Sequence, residues 1–481
     1  MKKTLSLFVL MMALCAFAAK PKYVFLFIGD GMSFPQRLVT EEYMTTVLGQ
    51  QPIFNHFPVN AATRTSCANK FVTDSAASGT AIACGEKTNY MSIGVGVDGV
   101  TPLESVAYVA KKQGMKVGII TSVTINHATP ASFYAHRKNR GMLYEIGLDM
   151  LDSGFDYFAG GGMPKANDTK SPLYKGDIFE LAPKAGYLTR QVKTVADMAD
   201  LKPGCGKVWL YSSRDNNLTR ELDMVQAGIR LQDLVTKGIE LLDNPNGFFM
   251  MCEGGAIDWG GHDNDAGYVV HEGIALNASV KLAYDFAQKH PNETLIVVTG
   301  DHETGGLNAG FANTGIKVHV ERLKLQKSTG VQLTAKLNEM KKANDKLSFD
   351  DAKPVLTSDF GLKFDGGDDD PMVLTAFEKA ALKNAFDAQF VAPNGKRGDK
   401  AFALLVLGTF NKRVGLTYTT GSHSAMPVVT SAYGVGAGVF ADLKSAADAA
   451  DKNLVELADK LRVTGIYENS DVARKIKSLL K

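Results

Sequence analysis

The sequence predicts an α/β fold: a doubly wound, mostly parallel central sheet flanked by helices, with a large insertion before the last cluster of candidate ligands. Three observations predict it. Residues 23–28, 116–121, 247–252 and 294–299 are short, continuous apolar runs, the form of strands covered on both faces. Helix-compatible stretches lie between them, and strands alternating with helices build parallel sheets. Several runs end in small-residue turns that carry acidic, hydroxyl or imidazole groups. In open α/β sheets, ligands bind just beyond the carboxyl ends of the strands.

The elements follow in order. Residues 1–18 read as a signal peptide: Lys2 and Lys3 form a positive start, residues 5–17 are apolar, and Ala16-Phe17-Ala18 is a cleavage site. An exported protein, periplasmic or extracellular, is expected, with residues 19–481 as the folded domain. Leu14 is too large for lipoprotein processing at Cys15, so lipidation is the lesser reading. Residues 23–28 form the first strand, closed by Gly29-Asp30-Gly31. The alanine-rich residues 73–84 form a helix with Ser75 near its start. A helix ends at Gly114, and the strand 116–121 follows. The turn Asn244-Pro245-Asn246-Gly247 opens the next strand. Residues 265–290 form a long helix with Ile274, Leu282 and Phe286 as apolar positions, followed by the strand 294–299. Residues 307–420 break the alternation with lysine-rich helical segments, an acidic stretch at 365–370 and an Asn394-Gly395 turn. They are expected to form a lid- or crown-like insertion. The core resumes at Gly421-Ser422-His423 and continues through residues 428–440.

Composition narrows the function. The 481 residues, 45% apolar and 22% charged, are those of a globular protein larger than one ordinary core. Cleavage would remove Lys2 and Lys3 and with them the whole formal charge of +2. That leaves no positive field for nucleic acid, and the lysines of residues 316–346 read as a solvated face. Beyond the leader, no apolar run is long enough to span a bilayer. Cys67, Cys84, Cys205 and Cys252 are too few for a disulfide scaffold, although an oxidising compartment would permit a Cys67–Cys84 bridge. Cys252 ends an apolar run and reads as a buried free thiol.

The candidate site gathers from several strand ends. Asp258 and His262 lie four apart among glycine pairs, which suits two ligands on one turn around an ion, and carboxylate plus imidazole suits zinc. Asp301-His302 is an adjacent pair after a strand, and His423 sits in a Gly-Ser-His-Ser loop that could close a third ligand onto the first ion. Thr129 and Glu253 offer oxygen ligands of the kind Mg²⁺ takes. Arg140 offers a planar fork for two phosphate oxygens. Ser75, beside Asp74, sits where a helix cap is expected. That is also where free amides and the helix dipole would hold a phosphate. No histidine lies near Ser75 in sequence, but a metal ion can lower a hydroxyl pKa in place of a base. His56, His271, His290 and His319 are assigned no role.

Together these motifs resemble the alkaline phosphatase family. The resemblance rests on Gly29-Asp30-Gly31-Met32, Asp74-Ser75-Ala76-Ala77-Ser78, His127-Ala128-Thr129-Pro130-Ala131, Glu253 with Asp258 and His262, Thr299-Gly300-Asp301-His302-Glu303-Thr304, and Gly421-Ser422-His423, in the family's order. It covers most of residues 22–310 and about 420–440; residues 307–420 carry no motif that matches. The resemblance implies two zinc ions and one magnesium ion. Asp258, His262 and His423 would bind the first zinc, and Asp30, Asp301 and His302 the second, which also touches Ser75. Asp30, Thr129 and Glu253 would bind the magnesium. Ser75 matches the nucleophile and Arg140 the phosphate-binding arginine. His127 and Trp259 stand just outside these ligands, where some members carry Asp and Lys, and would touch the magnesium site and the phosphate. Gly79 replaces a more usual alanine. Phosphate monoesters are the implied substrates, hydrolysed through a phosphoserine, and a homodimer is implied.

Three other functions compete. Arg140, Thr129 and Glu253 argue against a phosphodiesterase, because they suit a dianionic monoester and a third metal. The Cys/Ser-x-Pro-x-Arg motif of a sulfatase is absent around Ser75. A non-catalytic metal or phosphate binder would be favoured if Ser75 or a ligand were missing, and none is.

Overall fold

Every residue of strand β1 (Tyr23–Gly29) is buried, which explains why its sequence is apolar throughout instead of alternating. In the computed structural model, which describes residues 20–224, 228–310, 314–367, 369–392, 394–396, 399–441 and 466–481, this strand is central to the sheet. The expected signal peptide, residues 1–18, lies outside the described residues. The other strands are β2 (Val59–Arg64), β3 (Lys116–Thr121), β4 (Tyr157–Gly160), β5 (Tyr187–Gln191), β6 (Lys207–Tyr211), β7 (Phe248–Gly254), β8 (Thr294–Gly300), β9 (Glu303–Thr304), β10 (Leu307–Ala309), β11 (Leu416–Tyr418), β12 (His423–Ser424), β13 (Val428–Gly434) and β14 (Ile466–Glu468).

Ten of them form one sheet in the order β14-β2-β13-β8-β1-β7-β3-β4-β6-β5. β13 alone runs antiparallel to its neighbours. The expected mostly parallel, doubly wound α/β architecture is therefore present. Helices pack on both faces, over two large apolar clusters that share β1 between them.

The register explains why chemistry collects at one edge. Gly29 of β1 pairs with Gly254 of β7 and with Gly300 of β8, so the three strands end level. Asp30 and Asp301 therefore leave adjacent strands at the same height. Glu253 pairs with Ile28 on one side and Thr121 of β3 on the other. Helix α1 (Phe34–Leu48) follows the first of these ends, and helix α2 (Ser75–Cys84) lies nearby. Helices α3 (Ala256–His262) and α4 (Ala266–Lys289) follow β7.

Between β10 and β11 the chain builds helices α5 (Gly330–Ala343), α6 (Phe349–Phe360), α7 (Ala376–Phe386) and α8 (Ala401–Val414). Their apolar faces form a separate cluster around Phe349, Phe360, Phe386 and Phe410. This segment has a core of its own, which is joined to the main domain through Val39 and Tyr43 of α1 and Val270 of α4. The four cysteines described are free thiols, so the Cys67–Cys84 bridge that the sequence permitted is not formed, and Cys252 is buried as expected.

Candidate metal centre and active site

Asp74, not Ser75, caps helix α2. Its Oδ1 accepts from Ala77 N at 3.3 Å, which leaves Ser75 as the first helical residue with its hydroxyl free of capping. Ser75 is buried, and its Oγ lies 3.2 Å from His302 Nε2. The histidine absent from its sequence neighbourhood is thus supplied from the end of β8.

His302 Nε2 is the centre of a compact donor set. Asp30 Oδ1 stands 3.3 Å away and Asp301 Oδ2 3.2 Å away. Tetrahedral ligands with bonds of about 2.0–2.1 Å stand about 3.3 Å apart. The tautomer fits as well. Thr304 Oγ1 donates to Asp258 Oδ1 and so accepts from the His302 Nδ1–H at 3.2 Å, which leaves the Nε2 lone pair facing the carboxylates. Thr304 was not among the residues singled out from sequence, although it stands in the motif that carried Asp301 and His302.

A second set forms from α3 and β12. His262 Nε2 is 3.3 Å from Asp258 Oδ2, and His423 Nε2 is 3.5 Å from Asp258 Oδ1 and 3.2 Å from His262 Nε2. Their other ring nitrogens are held by backbone carbonyls. His262 Nδ1 bonds Gly421 O at 2.8 Å and His423 Nδ1 bonds Thr73 O at 2.9 Å. His423 is not in an open loop, because β12 pairs with β9 across His423↔Thr304.

The third set lies on the other side of Asp30. Thr129 Oγ1 donates to Asp30 Oδ2 at 3.2 Å, and the Thr121 hydroxyl donates to Glu253. His127 Nδ1 is 3.9 Å from Asp30 Oδ2 and 3.8 Å from Glu253 Oε1. Its ring therefore points toward the cluster, and because Arg140 donates to Nε2 at 3.0 Å, Nδ1 carries the proton and faces the two carboxylates. The two oxygens of Asp30 face different clusters, the geometry of a bridging carboxylate. Gly31 makes the junction possible: it sits at φ +71°, where a Cβ would stand 2.8 Å from Asp258 Cα, and its N–H donates to Asp301 Oδ1 at 3.0 Å.

The donor chemistry fits cations in all three sets. Asp30 Oδ1, Asp301 Oδ2 and Glu253 Oε1 are buried and have no hydrogen-bond partner in the protein, a costly arrangement unless a cation satisfies them. Burial, then repulsion from Asp301, Asp258 and Glu253, drives the Asp30 carboxyl well above its ordinary range. Burial pushes Asp301 up to about 7. Burial alone would raise Asp258 too, but hydrogen bonds from His262 and His423 outweigh it and hold Asp258 well below the usual range. Bound divalent ions would relieve this crowding. Three groups of donors, namely Asp258-His262-His423, Asp30-Asp258-His302 and Asp30-His127-Glu253, have ligand atoms within 4.8 Å of one another.

A family model described as alkaline phosphatase matches residues 21–156 and 210–481. The chain belongs to the alkaline phosphatase family. It is 30% identical to alkaline phosphatase 4 of Bacillus subtilis over 90% of this chain and 88% of that one. Its fold superposes on the cold-active alkaline phosphatase of a psychrophilic Shewanella with a TM-score of 0.75 at 25% identity, covering 95% of this chain and 100% of that one. It also resembles the alkaline phosphatase from the Antarctic bacterium TAB5, in a histidine-to-aspartate variant with Mg bound in its M3 site. That match has a TM-score of 0.61 at 25% identity and covers 96% and 99% of the two chains. The family is one of metal-dependent phosphomonoester hydrolases. Its model runs through residues 307–420, where no family motif was legible, and leaves out residues 157–209.

Arg140 completes the centre. Its NH1 bonds Asp74 Oδ2 at 3.1 Å and its NH2 lies 3.0 Å from His127 Nε2, so the guanidinium is aimed by two neighbours. A cleft of about 330 Å³ opens above, lined by His127, Arg140, Asp258, Trp259, His262, Asp263 and Lys400. Trp259 is partly exposed on its wall. Lys400, from the segment between β10 and β11, pairs with Asp263. Sequence reasoning missed Lys400 because it lies in the stretch without motifs. Asp74 was noted only as the neighbour of Ser75, and its hold on Arg140 was missed. His56, His271, His290 and His319 fall outside all three donor groups.

Proposed function

We propose that this chain is an exported alkaline phosphatase that hydrolyses phosphate monoesters through a phosphoserine, with two zinc ions and one magnesium ion. The observation that carries the reading is a free, buried serine at a helix start. Its Oγ lies 3.2 Å from His302 Nε2 in one donor set, and its neighbour Asp74 holds Arg140. Asp258, His262 and His423 would hold one zinc, Asp30, Asp301 and His302 the other, and Asp30, Thr129 and Glu253 the magnesium, with His127 beside it. Bound cations supply Lewis acidity, which favours the ionised serine, offsets charge on the departing oxygen and acidifies water.

The chain's own residues do the rest. Ser75 Oγ attacks phosphorus and the ester oxygen leaves on the opposite side. The α2 amides and the Arg140 fork hold the remaining phosphoryl oxygens as charge builds on them. Asp74 keeps Arg140 in place, and Thr304 keeps His302 in the tautomer that directs Nε2 to the serine side. Water then cleaves the phosphoserine and restores Ser75.

The segment 307–420 is read as a crown-like insertion that brings Lys400 to the mouth of the cleft. A homodimer is proposed through the exposed apolar residues Phe34, Leu38 and Met426, whose segments are tied by the Ser33 Oγ bond to Pro427 O. Export rests on the N-terminal leader; no described helix is long and apolar enough to cross a membrane. The direct test is to quench turnover of a ³²P-labelled monoester in acid and map the label. Label on the peptide carrying Ser75 supports the reading, and label on no residue under single-turnover conditions contradicts it.

A further inference from the structure

Trp259 walls two clefts. One is the phosphate cleft over the donor clusters; the other, about 480 Å³, lies beside it and is lined by Asn216, Asn217, Thr219, Arg220 and Gln332 among others. Both volumes fall in the range of small-molecule sites. Nothing in the phosphate chemistry uses the second cleft.

Its position matches the exit of a leaving group. Ser75 is buried, whereas His262 and Trp259 are partly exposed. In-line displacement places the departing oxygen opposite Ser75, toward Asp258 and His262, the two ligands that flank Trp259 on α3. A substituent on that oxygen leaves the phosphate cleft beside the indole and can enter the second cleft.

The lining selects a chemistry. An indole face takes a flat ring by stacking. The carboxamides of Asn216, Asn217 and Gln332 offer donors and acceptors together, as ring edges and sugar hydroxyls require. Arg220 is held 3.6 Å from Asp223 and 5.7 Å from the Tyr268 ring centroid, and its buried Nε has no partner in the protein. Asp215 and Asp223 outnumber that cation, so the cleft has no positive charge to hold a second phosphate.

We infer that the second cleft is a leaving-group subsite for a neutral, ring-bearing alcohol, and that nucleoside monophosphates are favoured over small alkyl phosphates. The inference rests on the phosphomonoesterase reading. The ring stacks on Trp259, and Asn217 and its neighbours bond the ring edge and the ribose.

The test compares AMP, glucose 6-phosphate and ethyl phosphate as substrates of the metal-loaded enzyme, in the wild type, Asn217→Ala and the cleft-filling Thr219→Phe. Wild type should show a higher kcat/KM for AMP than for ethyl phosphate. Asn217→Ala should raise KM for AMP about fivefold, the loss of one hydrogen bond, and Thr219→Phe about tenfold or more. Ethyl phosphate kinetics should stay unchanged in both. Equal kinetics for AMP and ethyl phosphate in the wild type overturn the subsite while leaving the phosphatase reading intact. Loss confined to glucose 6-phosphate overturns the choice of a nucleoside. A wild type that hydrolyses none of the three overturns the phosphatase reading itself.

Discussion

Ser75 Oγ and His302 Nε2 are 3.2 Å apart, although 227 positions separate them in the chain. The helix start and the strand end that carry them converge because β1 and β8 finish level, and Asp30 and Asp301 flank the pair. Ser75 offers no lone ligand set of its own, so its removal should leave the donor clusters standing. Ser75→Ala is expected to retain the wild-type metal content while kcat falls about a thousandfold or more. Metal analysis and p-nitrophenyl phosphate turnover on the same sample check both halves.

His127 is expected to set the preference of the third cation site. Arg140 donates to its Nε2, so the protonated Nδ1 faces Asp30 and Glu253, where Mg²⁺ would prefer another oxygen. His127→Asp should shift retention toward Mg²⁺ over Zn²⁺ when the apoprotein is dialysed against equal concentrations of both. Elemental analysis reads the ratio, and an unchanged ratio would show that His127 does not set this preference.

The central sheet and its strand ends were legible because buried parallel strands and small-residue turns leave dense local signals. Asp30, Asp301 and Glu253 stand where apolar runs give way to such turns, and their grouping as ligands came from the family resemblance. Ser75 was ambiguous, since a cap and a nucleophile look alike until Asp74 is seen to take the cap. The ring direction of His127 depends on packing against Arg140, which no spacing encodes. The contribution of Lys400 was hidden because a solvated lysine and a cleft lysine have the same local sequence. The pairing of β12 with β9 was likewise missed: two-residue strands have no period to read.

Lys400 is expected to help capture the substrate without taking part in chemistry. It lies at the mouth of the cleft, with its charge shared with Asp263. Lys400→Ala should raise KM for p-nitrophenyl phosphate about two- to threefold at low salt, with kcat unchanged and the difference shrinking as salt rises. A fall in kcat alone would contradict this role.

Glu272 gives a pH signature away from the metal centre. Burial raises its carboxyl from 4.5 to about 8, and Glu221 adds to the rise against its backbone bond to Glu272. A raised folded-state pKa means the contribution is fully present below 4.5 and is lost as pH rises through about 8. Glu272→Gln keeps the acceptor for Glu221 N and cannot ionise. Its Tm relative to wild type should therefore climb between pH 5 and pH 9, by an amount reflecting a few kcal/mol at most. A constant offset across that range would show that Glu272 does not titrate in the folded protein.

The central claim is a metal-dependent phosphomonoesterase at this centre. The most direct measurement is metal content together with p-nitrophenyl phosphate hydrolysis at alkaline pH, before and after chelation, with bis-p-nitrophenyl phosphate as the diester control. The account predicts two zinc ions and one magnesium ion per chain, with monoester turnover that EDTA abolishes and zinc with magnesium restores. Faster diester turnover, or full metal occupancy without monoester hydrolysis, would contradict it.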